Sequence, residues 1–178
     1  QEPDHGFRIA FLKKIGNLIK ENCSADIVYV DESGFEEYTY RPYTRSKRGK
    51  RSYGERGGKG GVHTNLMAGK RGKEIIAPVL DEETTAALWF NKWMEEHLCQ
   101  ELRLKSTIII VDNARFHIKE EVNRIANYNG HEVIFLPPSS PDLNPIEKVF
   151  AILKKKRCFA AKGTTIDQII KSYGLFLE

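Results

Sequence analysis

The apolar positions of this chain fall into two kinds of run. Short, unbroken, β-branched runs read as strands, and two of them close on an acid: Ile27 to Asp31 and Thr107 to Asp112. Val62 to Ala68 and Glu74 to Leu80 are further strand candidates, joined by Gly69-Lys70-Arg71-Gly72 as a hairpin. Phe35 to Tyr40 and Val133 to Leu136 are shorter ones. Other segments space their apolar residues as helices do. Residues 7–20 carry Ile9, Leu12, Ile15 and Ile19 and predict a leading helix. A second helix begins after Thr84 or Thr85, either of which can cap it, and runs through Leu88, Trp89, Trp93 and Leu98 to about Leu102. A third covers Lys119 to Tyr128 and stops at Asn129-Gly130. A fourth opens at Asn144-Pro145 and runs to about Arg157, burying Ile146, Val149, Phe150 and Leu153; a last one starts near Thr165.

Hairpins first, then alternating strands and helices, predict an α/β fold: a mixed sheet, part antiparallel meander and part parallel strands, flanked by helices. The chain has 178 residues, enough for one domain with one sizeable core. The expected division is a linker or leading helix over 1–25 and a single domain over 26–178, with a basic loop inserted at about 41–61.

Charge changes this picture more than composition does. The net charge is only +4. Yet Arg41 to Lys73 holds eleven Lys/Arg against one acid, Glu55, which leaves the rest of the chain net acidic. Lys148 to Lys162 holds six Lys/Arg and no acid. Such unevenness suits a polyanionic partner gripped by particular segments, although each run alone reads equally well as a solvated loop or helix face. Tyr38, Tyr40, Tyr43 and Tyr53 interleave with the first run and tilt it towards nucleic acid, because rings stack on bases. The candidate DNA-binding residues there are Arg41, Arg45, Lys47, Arg48, Lys50, Arg51, Arg56 and Lys59. Cys23, Cys99 and Cys158 are odd in number and lack a Cys-x-x-Cys pair, which argues against a disulfide framework or a zinc site. With no long apolar run, the expected location is cytoplasmic, on the nucleoid in a bacterium.

The acids are the candidate chemistry. Asp31 and Asp112 each close a buried apolar strand, which is costly unless something positive meets the carboxylate. The carboxyl ends of parallel strands are also where ligands sit. Either aspartate alone reads better as the start of a turn; two such sites in one small domain make the two readings even. Glu147 has a structural reading of its own: Asn144, Pro145 and Glu147 at N-cap, N1 and N3 make a capping box. Spacing does not choose between capping and metal binding. Three carboxylates on three elements suit hard cations such as Mg²⁺, and a pair of these ions ~4 Å apart serves phosphoryl transfer. Asn113, His117 and Asn144 stand close in sequence to the acids as side chains that could support them, His117 equally well in a purely structural role. Gly57-Gly58-Lys59-Gly60-Gly61 lacks the Lys-Ser/Thr ending of a phosphate-binding loop.

Three blocks carry a resemblance. Tyr29-Val30-Asp31-Glu32-Ser33, Val111-Asp112-Asn113-Ala114-Arg115-Phe116-His117 and Ser140-Pro141-Asp142-Leu143-Asn144-Pro145-Ile146-Glu147 resemble the signature blocks of mariner-like transposases and their bacterial insertion-sequence relatives. The 34 residues between Asp112 and Glu147 are a spacing characteristic of one large branch of that family. The resemblance spans about Asp26 to Lys156. It implies an RNase H-like fold, two Mg²⁺ or Mn²⁺ ions, and Asp31, Asp112 and Glu147 as catalytic acids and metal ligands, with Asp142 outside the triad. It also implies hydrolytic cutting at transposon ends, attack by the freed 3′-hydroxyl on target DNA at a TA dinucleotide, and a homodimer on DNA. The family carries helix-turn-helix domains ahead of its core, and about 25 residues before the first strand are too few for them. Phe150 stands where relatives often carry Trp. Two alternatives stay open: an RNase H-like nuclease that only hydrolyses, and a non-catalytic DNA-binding remnant.

Overall fold

The computed structural model describes residues 5–21, 27–36, 63–81, 86–161 and 163–174. Its elements, in order, are α1 (His5–Glu21), β1 (Ile27–Glu36), β2 (His63–Arg71), β3 (Glu74–Asp81), α2 (Ala86–Trp93), a π-helical turn (Met94–Leu98), α3 (Cys99–Leu102), β4 (Ile108–Val111), α4 (Lys119–Tyr128), β5 (Glu132–Phe135), a 3₁₀ turn (Pro141–Leu143), α5 (Ile146–Phe159) and α6 (Ile166–Gly174). The basic segment 41–61, with Arg41, Arg45, Lys47, Arg48, Lys50, Arg51, Arg56 and Lys59, lies outside the described residues, as do Thr84 and Thr85. Among the described residues no helix is long and apolar enough to cross a membrane.

The strands form one mixed sheet in the order β3-β2-β1-β4-β5. β1 to β3 make an antiparallel meander, while β1, β4 and β5 run parallel. The mixed α/β sheet read from the sequence is therefore the observed one, and the fold is RNase H-like. β4 is buried along its whole length, as an unbroken aliphatic run in the middle of a parallel sheet must be.

Helices cover both faces. Val28, Val30, Ile109 and Val111 meet Phe90, Trp93, Leu98, Leu102 and the α4 residues Val122 and Ile125 on one face. On the other, α1 packs Phe11 and Ile15 against Ile27, Ile108 and Ile110. Beside it α5 and α6 pack Ile146, Val149, Phe150, Leu153 and Ile169 against Phe35, Leu66 and Ala68. Phe150 is thus fully enclosed. The α6 start carries a reciprocal cap: Thr165 N–H donates to Gln168 Oε1 (2.9 Å), and Gln168 N–H donates to Thr165 Oγ1 (3.2 Å).

Four expectations need correction. The leading helix exists, but its buried residues are Phe11 and Ile15, with Leu18 half-buried beside them; Ile9, Leu12 and Ile19 are exposed. Two faces of α1 carry helical spacing, and the sheet selects the one with Phe11 and Ile15. Phe35 does not begin a separate strand; it continues β1, because antiparallel pairing with β2 runs on to Glu36. Residues 37–40 lie outside the described residues. The β2–β3 turn is Gly72-Lys73 rather than four residues from Gly69. Gly69 lies within β2, where a Cβ would stand 2.8 Å from Ile76 Cγ1 and 3.0 Å from Val28 Cγ1, so close packing explains that glycine. The helix after β3 reaches Leu102, but through a π-helical turn.

Candidate active site

The two aspartates arrive together because of the sheet. β1 and β4 are parallel neighbours, with Val30 paired to Val111 as the last register partners. The next residue on β1 is Asp31, and the first residue beyond β4 is Asp112. Asp31 does not end β1, as the sequence suggested; it sits mid-strand, where parallel pairing stops and pairing with Ala68 of β2 continues. Alternation puts Asp31 on the face of Tyr29 and Ile27, the face that α5 covers. Glu147 stands in the first turn of α5. A cavity of about 170 Å³ is lined by Asp31, Asp112, Asn113, Asn144, Glu147 and the wall from Leu136 to Pro141.

Both Asp31 oxygens are held. Oδ1 accepts from the Glu32 N–H (2.8 Å), and Oδ2 accepts from Asn144 Nδ2 (3.3 Å). Burial first, then the charges of Asp112 and Glu147, push the Asp31 carboxyl up to about 7, while the Glu32 N–H favours its charged form. Asp112 is held differently: the buried His117 ring donates from Nε2 to its Oδ1 at 2.7 Å.

Asn144 does not cap α5. Its Nδ2 also reaches the Val30 carbonyl (3.4 Å), and its backbone N–H donates to the Pro141 carbonyl (2.9 Å) rather than to Glu147. The helix begins at Ile146 behind Pro145, with no side-chain cap. The capping box is absent on both arms. The Glu147 side chain is exposed and faces the cavity. Asn144 Oδ1 is buried and has no hydrogen-bond partner among the described residues.

The structure therefore brings Asp31, Asp112, Glu147, Asn113 and Asn144 to one cavity, with His117 behind Asp112. Sequence reasoning missed Arg8, whose guanidinium reaches Ser140 on the cavity wall and Asp142 just beyond it. These partners are 132 and 134 residues away in the chain, and no local pattern signals them. Among the described residues, no three His, Cys, Asp or Glu side chains are gathered closely enough to hold one ion by themselves. Mg²⁺ does not require that, since it keeps waters and takes only one or two carboxylates.

A family model described as DDE superfamily endonuclease matches residues 26–170. The chain belongs to that family. Its fold is similar to those of solved structures, among them three of Mos1. One is the Mos1 mariner paired-end complex with Mn, with a TM-score of 0.77 and 19% identity over 99% of this chain and 56% of that one. Another is the Mos1 transposase paired-end complex with left transposon end, at 0.70 and 20%, covering 87% and 50% respectively. The third is the catalytic domain of Mos1 mariner transposase, at 0.67 and 17%, covering 99% and 83%. The family member described here thus spans about half the length of the paired-end-complex chains. No curated protein matches it by sequence.

Proposed function

We propose that this chain is the catalytic core of a metal-dependent DNA transposase, in which Asp31, Asp112 and Glu147 hold two divalent cations, Mg²⁺ or Mn²⁺. One observation carries the reading: in a chain of the DDE endonuclease family, three carboxylates from β1, the end of β4 and the start of α5 line one cavity. The donor set fits such ions, being all oxygen and negatively charged, with Asp31 held against ionisation by burial and by its two neighbours. When bound, the ions polarise a DNA phosphate and activate the attacking oxygen.

The protein's own part is positioning. Asn144 and the Glu32 N–H fix the Asp31 carboxylate on a rigid strand. His117 engages one Asp112 oxygen and leaves the other to the cavity. The α5 core contacts set where Glu147 stands. First, water cuts one strand at a transposon end and leaves a 3′-hydroxyl. That hydroxyl then attacks the phosphorus of a target phosphodiester, forming a new P–O bond as the target's own P–O3′ bond breaks and its 3′-hydroxyl leaves. In this reading residues 26–178 form the catalytic domain, with 1–25 ahead of it. Arg41, Arg45, Lys47, Arg48, Lys50, Arg51, Arg56 and Lys59 grip the phosphate backbone, the target is TA, and the working unit is a homodimer on DNA. Two of the solved structures support DNA as the partner, since they are paired-end complexes of Mos1, one of them with the left transposon end.

The test is nicking of supercoiled plasmid across a titration of Mg²⁺ and Mn²⁺, paired with joining of a pre-cut 3′ end to plasmid. Metal-dependent activity in both is the expected result. Nicking without joining would make the chain a nuclease that only hydrolyses, and neither with either metal would make it a non-catalytic remnant.

A further inference from the structure

We propose that α1, which lies outside the residues matched by the family model, is a working part of the site, and that Arg8 is a positioning residue for the cavity wall that carries Asn144 and leads into Glu147. Arg8 Nη1 donates to Ser140 Oγ (2.9 Å) and to Asp142 Oδ1 (3.0 Å), and Nη2 donates to Asp142 Oδ2 (2.5 Å). The planar fork meets both carboxylate oxygens at once, which fixes direction as well as distance. Ser140 Oγ in turn donates to the Pro138 carbonyl (3.2 Å). Residues 138 to 142 are thus tied to one guanidinium.

This wall needs tying. Ser139, which lines the cavity, has φ +53°, a left-handed conformation unfavourable for a residue with a Cβ. From the wall the position passes along backbone bonds. Leu143 N–H donates to the Ser140 carbonyl (3.1 Å), Asn144 N–H to the Pro141 carbonyl (2.9 Å), and Glu147 N–H to the Asn144 carbonyl (3.2 Å). Asn144 then touches Asp31. Arg8 is itself well founded, because the next turns of α1 bury Phe11 and Ile15 against Ile27, Ile108 and Ile110. Asp142 is mostly exposed, so the ion pair adds little stability; its effect falls on geometry. It also accounts for Asp142, an acid of the Pro-Asp-Leu-Asn-Pro-Ile-Glu block that faces Arg8 rather than the three other carboxylates.

The inference rests on the transposase reading for its activity and metal readouts, while amide hydrogen exchange tests it independently. The full chain is compared with Arg8→Gln, Arg8→Lys, Asp142→Asn and the swap of Arg8→Asp with Asp142→Arg. Three properties are read: exchange over residues 139–147, Mn²⁺ affinity by titration, and plasmid nicking. Arg8→Gln and Asp142→Asn should melt within about 3 °C of the parent. They should exchange faster over 139–147 and lose about tenfold in Mn²⁺ affinity and in kcat, with KM for DNA unchanged. Arg8→Lys, which lacks the fork, should restore these only in part, and the swap more fully. If Arg8→Gln unfolds, Asp142→Asn removes the same fork from the exposed side. Parental exchange in Asp142→Asn and Arg8→Gln overturns the proposal. So does a rise in KM with kcat intact, which would make Arg8 a DNA contact. A parent chain that neither binds Mn²⁺ nor nicks defeats the transposase reading, and the exchange data still decide the role of Arg8.

Discussion

Nε2 of His117 stands 2.7 Å from Oδ1 of Asp112, on a side chain only 3% exposed. Phe90 and Phe116 pack against the imidazole with ring centroids 4.2 Å away. Nδ1 is buried without a hydrogen-bond partner among the described residues. The ring meets Asp112 through Nε2, donating to a carboxylate that can only accept. His117→Phe should fill the aromatic slot and keep the fold, while lowering Mn²⁺ affinity by about ten- to a hundredfold. His117→Gln, which retains a donor, should recover part of that loss. Mn²⁺ titration of both variants, with melting curves, checks this; unchanged affinity in His117→Phe would leave the ring a packing residue.

Glu147 has no capping duty, since the Asn144 N–H donates to the Pro141 carbonyl and α5 carries no side-chain cap. Glu147→Gln should leave the melting temperature of the metal-free chain within about 2 °C and cut nicking by about a hundredfold or more. A fully active variant would remove Glu147 from the site.

The Asp31 carboxyl gives a pH signature. Its folded value of about 7 lies above the ordinary 3.8, so the folded state holds a proton that the unfolded chain releases. This contribution to stability is complete below about pH 4 and is lost as pH rises through about 7. Over that window the metal-free protein should lose stability on the order of a few kcal/mol. Asp31→Asn should flatten the slope. Divalent metal, by favouring the ionised form, should protect most above pH 7. Denaturant titrations at pH 4 to 8, with and without Mg²⁺, read the sign; stability rising from pH 4 to 7 by an Asp31-dependent amount would contradict it.

Leu153 is fully buried between α5 and the sheet. Leu153→Ala should cost about 2–5 kcal/mol. Nicking should survive well below the lowered melting temperature, because the cavity side chains are intact. A urea melt and a temperature series of nicking separate the two effects.

Charge reversal of Arg48, Lys50 and Arg51 should weaken DNA binding and reduce its logarithmic salt slope by about three if each meets a phosphate. A slope equal to that of the parent would leave this segment a solvated loop.

The parts of this molecule legible in the sequence are those where local pattern and tertiary environment agree. Ile108 to Val111 is so uniformly apolar that only the middle of a sheet accommodates it, whereas the acid that follows, taken alone, reads better as the start of a turn. Lys119–Tyr128 was bounded by its stop signal and is observed with those ends. Where a partner decides, local pattern fails. Asp31 looked like a strand end because Glu32, Ser33 and Gly34 follow it, but β2 supplies pairing through all three. Ile9, Leu12 and Ile19 looked like a core stripe, but the sheet chose Phe11 and Ile15. The contact between Arg8 and Asp142 depends on two segments meeting across the whole domain, and no window of sequence holds both.

The register partners Ile27 and Ile108 lie on touching strands, but about half of the domain's chain separates them. Parallel strands cannot pair until the intervening crossover has been made and packed. Asp31 and Asp112 therefore meet late, and Glu147 later still in order of synthesis. A nascent chain leaving the ribosome carries one acid, then two, on surfaces that have not yet closed. On the transposase reading, strand cleavage waits on the same folding step that brings β4 beside β1.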